Sequence, residues 1–188
     1  MRAAGHATRE RILAAAKAEF ATYGVAGARI NRIAAEAKAS KDRLYAYFAS
    51  KDALYAAVTE QWADHTTAET ALDAADLPGY VGRLFDHYIR HPDNARLQAW
   101  ADVEQLSIPE AEQVVRRVIA AKITELERGQ REGLITSDFA PITLIVMLTD
   151  LARTAAVHAT RDDGPHNITE RRAAVVLAAR RLVTPENP

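Results

Sequence analysis

Alanine content is the feature that most constrains the fold of this chain. Of the 188 residues 39 are alanine, whereas only 8 are glycine and 7 are proline. Alanine has the highest helix propensity of all residues. The β-branched and aromatic residues that strands favour are too sparse here to sustain a sheet, and aromatic residues make up only 6% of the chain. The sequence therefore predicts an all-α fold.

Several classes of protein conflict with the composition. The chain has no cysteine, which excludes disulfide frameworks, cysteine-ligated metals and thiol nucleophiles, and which suits a reducing compartment. Its longest strongly apolar stretch, residues 142–148, is far shorter than the roughly 20 residues that a membrane span needs. The first residues lack the apolar segment of a secretory signal. We therefore expect a cytoplasmic protein without membrane contact.

Charge is unevenly distributed along a chain whose net charge is only −1. Residues 1–60 contain ten Lys and Arg against six Asp and Glu, whereas residues 61–188 contain 14 against 19. A basic N-terminal part on an acidic remainder is typical of a domain that binds a polyanion. The alternative is scatter within a surface of mixed charge.

Apolar spacing and capping residues predict about nine helices. Thr8 is the expected cap of a first helix that ends at Gly24, and a short second helix covers about residues 29–37. Ser40 and Ser50 are the expected caps of a third and a fourth helix. Two long helices near the C-terminus cover about residues 142–160 and 168–183, the first of them apolar on more than one side.

Residues 29–48 have the pattern of a helix-turn-helix unit. A helix with the core pair Ile33-Ala34 is followed by a tight turn and by the Ser40-capped helix. In such units the second helix lies in the major groove of DNA, with its N-terminal residues towards the base edges. Here those residues are Ser40, Lys41, Asp42 and Arg43.

The side chains of the second helix suit contacts with bases and phosphates. Arg43 can bind guanine with two hydrogen bonds, and Lys41 suits a guanine or a phosphate. Asp42 either accepts a hydrogen bond from a cytosine amino group or only stabilises the positive end of the helix dipole. The hydroxyls of Tyr45 and Tyr47 are good phosphate donors.

Two further basic residues stand at helix starts, where phosphates bind well. Lys51 follows the Ser50 cap, and Arg29 stands at the start of the second helix. The alternative for the whole segment is a solvated amphipathic hairpin that binds no nucleic acid.

The same residues resemble a known family. The run from Ser40-Lys41 through Leu44-Tyr45-x-Tyr47-Phe48-x-Ser50-Lys51, with Leu54 after it, is similar to the N-terminal domain of the TetR family of bacterial transcriptional regulators. The preceding helix, with Phe20 and Tyr23-Gly24, is similar too. The resemblance covers residues 8–60. It implies a DNA-binding domain over residues 1–48 and a ligand-binding and dimerisation domain over residues 49–188.

Three positions depart from the pattern of that family. Lys38 stands in the helix-helix turn where the family often has glycine, and it adds a candidate phosphate contact. Ala28 and Arg29 stand where a small hydroxyl residue is common, and Tyr47 replaces a frequent histidine. These departures concern individual phosphate contacts more than the docking of the second helix.

The resemblance also implies a small-molecule effector that binds among the middle helices. The candidate lining residues are the bulky or polar members of stripes otherwise made of Ala, Val and Leu: Trp62, His65, Phe85, Tyr88, Trp100, Glu104, Met147 and Asp150. The alternative is that each is ordinary core, which we favour for Phe85 and Trp100. Asp150 interrupts an apolar run, where an ion pair with Arg153, with a partner chain or with a cationic ligand would stabilise it, and of these we favour an ordinary ion pair at the dimer interface.

The last two long helices usually form the dimer interface in this family. We therefore expect a homodimer held together by the helices near residues 142–160 and 168–183, and we expect Leu148→Glu to give monomers.

Metal and enzymatic chemistry have little support. His87 and His91 are four residues apart beside Asp86 and Asp93, which is metal-ligand spacing, but surface histidines at a helix end are commoner. We therefore expect no metal and no cofactor. The chain has neither a G-x-G sequence nor a Gly-Lys-Ser/Thr sequence, and no Ser-His-Asp set is readable.

The sequence as a whole predicts a transcriptional regulator that binds a palindromic DNA operator as a homodimer and is released by a small-molecule effector. The alternatives are a DNA-binding dimer without an effector and, least favoured, a helical-bundle enzyme.

Overall fold

The computed structural model describes residues 2–104, 107–160 and 165–185. Over these residues the chain forms nine α-helices, one short 3₁₀-helix and no strand, which confirms the all-α fold. The helices are α1 (Arg2–Gly27), α2 (Ile30–Glu36), α3 (Lys41–Tyr47), α4 (Lys51–Glu69), α5 (Leu77–Arg90), α6 (Pro92–Glu104), α7 (Pro109–Arg131), α8 (Pro141–Ala159) and α9 (Pro165–Val183). The 3₁₀-helix is Ala74–Asp76.

The chain divides into two compact units. The first unit contains Met1–Asp64 and Asp93–Val115, and the second contains His65–Pro92 and Arg116–Pro188. The functional domains predicted over residues 1–48 and 49–188 stay a prediction.

Local capping fixes where the short helices begin. The Oγ of Ser40 accepts a hydrogen bond from the backbone N–H of Arg43 at 3.1 Å, and the Oγ of Ser50 accepts one from Ala53 at 3.0 Å. Both predicted caps are therefore confirmed. The predicted start of the first helix at Thr8 is wrong, because the helix already runs from Arg2 through several alanines that favour it.

The core of the first unit lies under the short helices. The rings of Phe20 and Tyr55 meet edge to face, with centroids 5.3 Å apart. Around them the large side chains with almost no exposure are Ile12, Leu13, Ile33, Leu44 and Leu54. This core holds α2 and α3 in place, so the positions of their outward side chains are fixed by packing beneath them.

Helices α5, α8 and α9 pack against one another in the second unit. Leu144 and Leu148 of α8 are fully buried, and Val175 and Ala179 of α9 are buried with them. The expectation that Leu148 lies at a dimer interface is wrong, because its side chain is inside the unit. Instead Ile142, Val146 and Met147 lie exposed on another face of α8.

By length and composition alone, α8 is apolar enough to cross a membrane. A core helix of a globular protein passes the same test, and the apolar packing of Leu144 and Leu148 accounts for part of the composition.

Candidate nucleic-acid interface

Helices α2 and α3 form a hairpin with one buried and one exposed side. Ile33 and Ala34 of α2 are buried, as are Leu44 of α3 and Phe48 after it. On the outer side the exposed residues of the turn and of α3 include Lys38, Ser40, Lys41, Asp42, Arg43 and Tyr45. The hairpin therefore presents three cationic side chains and one anionic side chain together.

The turn between α2 and α3 is a Schellman motif. The N–H of Lys38 donates to the carbonyl of Ala35 at 3.1 Å, and the N–H of Ala39 donates to that of Ala34 at 2.9 Å. The motif requires a left-handed residue at its centre, and Lys38 has φ +52°. A residue with a Cβ pays roughly 1–2 kcal/mol for this conformation, which is why glycine is usual there.

Replacing Lys38 separates the strain of this turn from its charge. Lys38→Gly is expected to raise the free energy of unfolding by about 0.5–1 kcal/mol, because relief of the left-handed strain exceeds the added entropy of the unfolded chain. Lys38→Ala removes the same charge but keeps the Cβ. Urea denaturation of both variants checks this, and equal stability of the two would contradict the strain.

The first turn of α3 presents its charged groups to solvent. Asp42 and Arg43 are exposed, and no described residue forms a hydrogen bond or ion pair with the Arg43 guanidinium. The Nζ of Lys41 lies 5.8 Å from the centre of the Tyr45 ring, which is itself exposed. A fork of guanidinium donors at the start of a helix is suited to the edge of a guanine.

Three other predicted residues already make hydrogen bonds within the first unit. The hydroxyl of Tyr47 donates to the carbonyl of Gly5 at 3.1 Å. The Nζ of Lys51 donates to the carbonyl of Ala28 at 3.3 Å. Arg29 uses its backbone N–H to bind Glu19, at 2.8 Å, while its side chain is exposed. These hydrogen bonds stabilise the position of the hairpin. The phosphate contacts of the three residues stay predictions.

Sequence reasoning missed the residues that support the hairpin from α1. Glu19 is buried and accepts from the Nε of Arg32 at 2.7 Å, a bond that raises the pKa of the Arg32 guanidinium. The same guanidinium lies 4.2 Å from the centre of the Tyr23 ring. Arg11 donates from its Nε to the carbonyl of Ala37 at 3.2 Å. The partners are 13 and 26 residues apart, so no local pattern indicates them.

Three of the predicted effector residues lie in the first unit, where two of them support a backbone turn. The carboxylate of Glu104 accepts from the N–H groups of Val25 at 2.8 Å and Ala26 at 3.0 Å. The indole N–H of Trp100 donates to the carbonyl of Ala21 at 3.3 Å. Trp62 is half-buried, and its buried Nε1 has no hydrogen-bond partner among the described residues.

The other five lie in the second unit in different surroundings. Phe85 and Tyr88 are buried, whereas Met147 is exposed on α8. Asp150 accepts from Arg153 at 2.7 Å, the intrachain pairing that the sequence left open. His65 is exposed and lies 3.6 Å from Glu69, between Nδ1 and Oε1. Two of the five are therefore buried and two others are exposed, so they do not share one environment.

A groove of about 450 Å³ lies in the first unit, and none of the eight predicted residues lines it. Its lining residues come from α1, α4 and α7: Arg9, Leu13, Ala56, Ala57, Glu60, Gln61, Asp64, Glu110 and Val114. Three carboxylates on a partly apolar floor give this groove an acidic character.

An all-α chain with a capped, basic second helix in such a hairpin is a helix-turn-helix DNA-binding protein. Comparison with known proteins makes the assignment more specific. The family model described as bacterial regulatory proteins, tetR family, matches residues 12–58. The model described as tetracyclin repressor-like, C-terminal domain, matches residues 76–181. The chain belongs to the TetR family and is a DNA-binding transcriptional regulator.

Individual relatives cover most of the chain. The HTH-type transcriptional repressor SCO4008 of Streptomyces coelicolor is 38% identical over 152 residues, which cover 80% of this chain and 79% of the relative. The HTH-type transcriptional repressor NicS of Pseudomonas putida is 32% identical over 155 residues, covering 77% and 73%. The crystal structure of the transcriptional regulator SCO4942 of Streptomyces coelicolor has a TM-score of 0.79 at 42% identity and covers 94% of this chain and 98% of that one.

Proposed function

We propose that this protein is a cytoplasmic repressor that binds a palindromic operator as a homodimer and has no catalytic activity. The observation that carries the proposal is the exposed Lys41-Asp42-Arg43 segment at the capped start of α3. Two relatives with more than 30% identity, SCO4008 and NicS, are named as transcriptional repressors. A repressor needs only to occupy its site, so a sequence-reading helix and a dimer are sufficient.

In this proposal α3 enters the major groove and the residues around it hold the backbone. Arg43 reads a guanine, and Lys41 reads a guanine or binds a phosphate. Asp42 stabilises the positive end of the dipole of α3. The phosphate contacts come from Arg29, Lys38, Ser40, Tyr45, Tyr47 and Lys51. Tyr47 and Lys51 also donate hydrogen bonds to backbone carbonyls within the first unit. These bonds would hold the two side chains in place when they contact DNA.

Exposed apolar side chains on α8 and α9 support the homodimer. Ile142 and Val146 are one helical turn apart on α8, Met147 lies beside them, and Leu177 is exposed on α9. Apolar side chains that cluster on a surface mark an interaction site more often than singly scattered ones do. A two-fold axis beside this face of α8 would bring Ile142, Val146 and Met147 of two chains together.

We further propose that a small molecule releases the repressor from DNA, by binding one conformation more tightly than the other. The packing of Phe85 and Tyr88 favours a second candidate, a DNA-binding dimer without an effector. A screen of apolar and aromatic compounds for release of labelled operator separates the two. Release by a compound that binds at a fixed stoichiometry supports the effector, whereas no release by any compound favours the second candidate.

Selection from random DNA duplexes at two salt concentrations tests the DNA-binding proposal. We expect a palindrome to be recovered, with affinity that falls steeply as salt rises because phosphate contacts release counterions. Weak binding that is independent of sequence would contradict an operator-reading dimer.

Arg43→Ala tests the reading residue on the recovered operator. It is expected to cost about 1–3 kcal/mol of binding free energy and to relax the preference at one base pair of each half-site. The matched control is Arg131→Ala, which removes an exposed arginine at the end of α7 in the second unit. Equal losses on all DNA sequences would show that Arg43 binds phosphate and reads no base.

A further inference from the structure

Three histidines and a glutamate cluster in the second unit. His65 and Glu69 are one helical turn apart on α4, and His87 of α5 is followed one turn later by His91, the C-cap residue just after α5. The ring centroids of His65 and His91 are 5.3 Å apart, and those of His87 and His91 are 4.9 Å apart. The two helix faces therefore bring four groups with ligand atoms to one place.

The two carboxylate oxygens of Glu69 have different surroundings. Oε2 accepts hydrogen bonds from the Nδ1 of His87 at 2.8 Å and from Arg90 at 2.9 Å. Oε1 faces the Nδ1 of His65 at 3.6 Å and the Nε2 of His91 at 3.4 Å. Both of these distances exceed the 2.7–3.2 Å or so that N–H···O hydrogen bonds usually span. One oxygen is thus held in place while the other lies near two imidazole nitrogens.

These separations match those between the ligands of a tetrahedral metal ion. Ligands about 2.0–2.1 Å from a tetrahedrally coordinated Zn²⁺ lie about 3.3–3.4 Å from each other. The Oε1–Nε2 and Oε1–Nδ1 distances are 3.4 and 3.6 Å, and all three ligand atoms lie within 4.8 Å of one another. An inward movement of the exposed His65 ring would bring its nitrogen nearer to both other ligand atoms.

His91 provides a second, independent observation. Its Nε2 is buried and makes no hydrogen bond with any described residue. A buried polar atom without a hydrogen bond is costly, and one that faces a carboxylate and a second imidazole is suited to bind a cation.

His87 does not join the ligands but holds Glu69. Its side chain is fully buried, its Nδ1 binds Glu69, and its Nε2 lies 3.1 Å from the Oγ1 of Thr66. Metal ligands are commonly oriented by such outer hydrogen bonds. Asp86, which the sequence placed beside a possible metal site, is paired instead with Arg172 at 2.8 Å.

Arg90 is the cationic group beside the cluster, and its charge bears on which ions the site suits. It binds Oε2 at 2.9 Å from a half-exposed position, so it offsets the charge of Glu69 through the oxygen that does not face His65 and His91. A site with little net negative charge and two imidazoles disfavours Mg²⁺ and Ca²⁺, which prefer several carboxylates, and suits ions that bind nitrogen.

We propose that His65, Glu69 and His91 bind a divalent transition-metal ion such as Zn²⁺, with a fourth position left to water or to another ligand. This departs from the absence of a metal expected from the sequence, because that expectation considered only the residues of α5 and its neighbours. The proposal is independent of operator binding, since the ion is measured without DNA.

The test uses the full chain without affinity tags, from which metal has been removed with a chelator. One sample is titrated with Zn²⁺, and a second is titrated with Co²⁺ and then with Zn²⁺. We expect one ion per chain, and visible absorption bands of tetrahedral Co²⁺ that Zn²⁺ abolishes. His65→Ala is expected to weaken Zn²⁺ binding at least about tenfold with unchanged helicity by circular dichroism, because the side chain is exposed. His91→Ala should weaken it similarly.

His158→Ala is the matched control, because His158 is an exposed histidine of α8 in the same unit. Its affinity for Zn²⁺ should equal that of the unaltered chain. Failure of the unaltered chain to bind one ion would overturn the proposal. Binding that His65→Ala leaves unchanged would overturn it as well, and this variant remains informative if His91→Ala does not fold.

Discussion

Gly24→Ala is expected to lower the free energy of unfolding by about 3 kcal/mol or more. Gly24 breaks the helical path of α1 with φ +67° and ψ 179°, a conformation that is essentially restricted to glycine. A Cβ at this position would also overlap a carboxylate oxygen of Glu104 and lie 2.9 Å from the Trp100 ring. Backbone strain and steric overlap therefore add at one residue.

The Glu104 side chain cannot move aside without a further loss. Its carboxylate accepts hydrogen bonds from the N–H groups of Val25 and Ala26. The break in α1 leaves these two groups without partners inside the helix. Moving it away to admit a methyl group would leave the part-buried N–H of Val25 unpaired, at a cost of roughly 1–3 kcal/mol. Gly24→Ala should therefore lower the free energy of unfolding whether the Glu104 carboxylate stays in place or moves away.

Gly133→Ala is the control for a positive φ without steric overlap. Gly133 has φ +69°, and a Cβ there would have no neighbour within 4 Å. It should cost only the backbone strain, about 1–2 kcal/mol. Urea denaturation followed by tryptophan fluorescence reports on the first unit for Gly24→Ala, since both tryptophans lie there, and circular dichroism follows Gly133→Ala. Equal destabilisation by the two variants would show that Trp100 and Glu104 do not restrict Gly24.

Features that depend on neighbours in sequence could be predicted. Ser40 and Ser50 cap the residues three positions later, so the starts of α3 and α4 follow from the sequence. The core pair Ile33-Ala34 and the buried Leu44 follow from helical spacing alone. The exposure of Lys41, Asp42 and Arg43 on α3 depends on the same spacing and could therefore be predicted too.

Features that depend on residues distant in sequence could not be predicted. Glu104 binds the turn after Gly24 across 79 residues, and in the sequence it resembled a residue that lines an effector pocket. The His65, Glu69 and His91 cluster joins two helices, so spacing within α5 showed only half of it. An amphipathic pattern shows that a polar residue departs from a stripe, but it does not show which distant group that residue meets.

The rotational phase of α8 is a third case, because an almost continuously apolar helix has little periodic signal. The sequence therefore gave no basis for choosing between Val146 and Leu148 as the outward residue. These residues are two positions apart, which is about 200° around a helix. Val146 is 50% exposed and Leu148 is fully buried. The same substitution at the two positions should consequently have different effects.

Val146→Glu is expected to give folded monomers, whereas Leu148→Glu should unfold the second unit. A carboxylate at position 146 is solvated in the monomer, but in the proposed two-fold interface each chain would place one against the apolar face of its partner. At position 148 the carboxylate would be buried among apolar side chains, at a cost of about 4 kcal/mol or more.

Sedimentation and circular dichroism distinguish the two outcomes. The unaltered chain should sediment as a dimer, Val146→Glu as a monomer with full helicity, and Leu148→Glu should lose helicity at a lower temperature. Arg131→Ala, outside the α8–α9 face, should remain dimeric. A dimer that survives Val146→Glu would place the interface elsewhere, because an unpaired carboxylate buried between two apolar surfaces would destabilise the dimer. A different partner would then be required to cover the exposed Ile142 and Leu177.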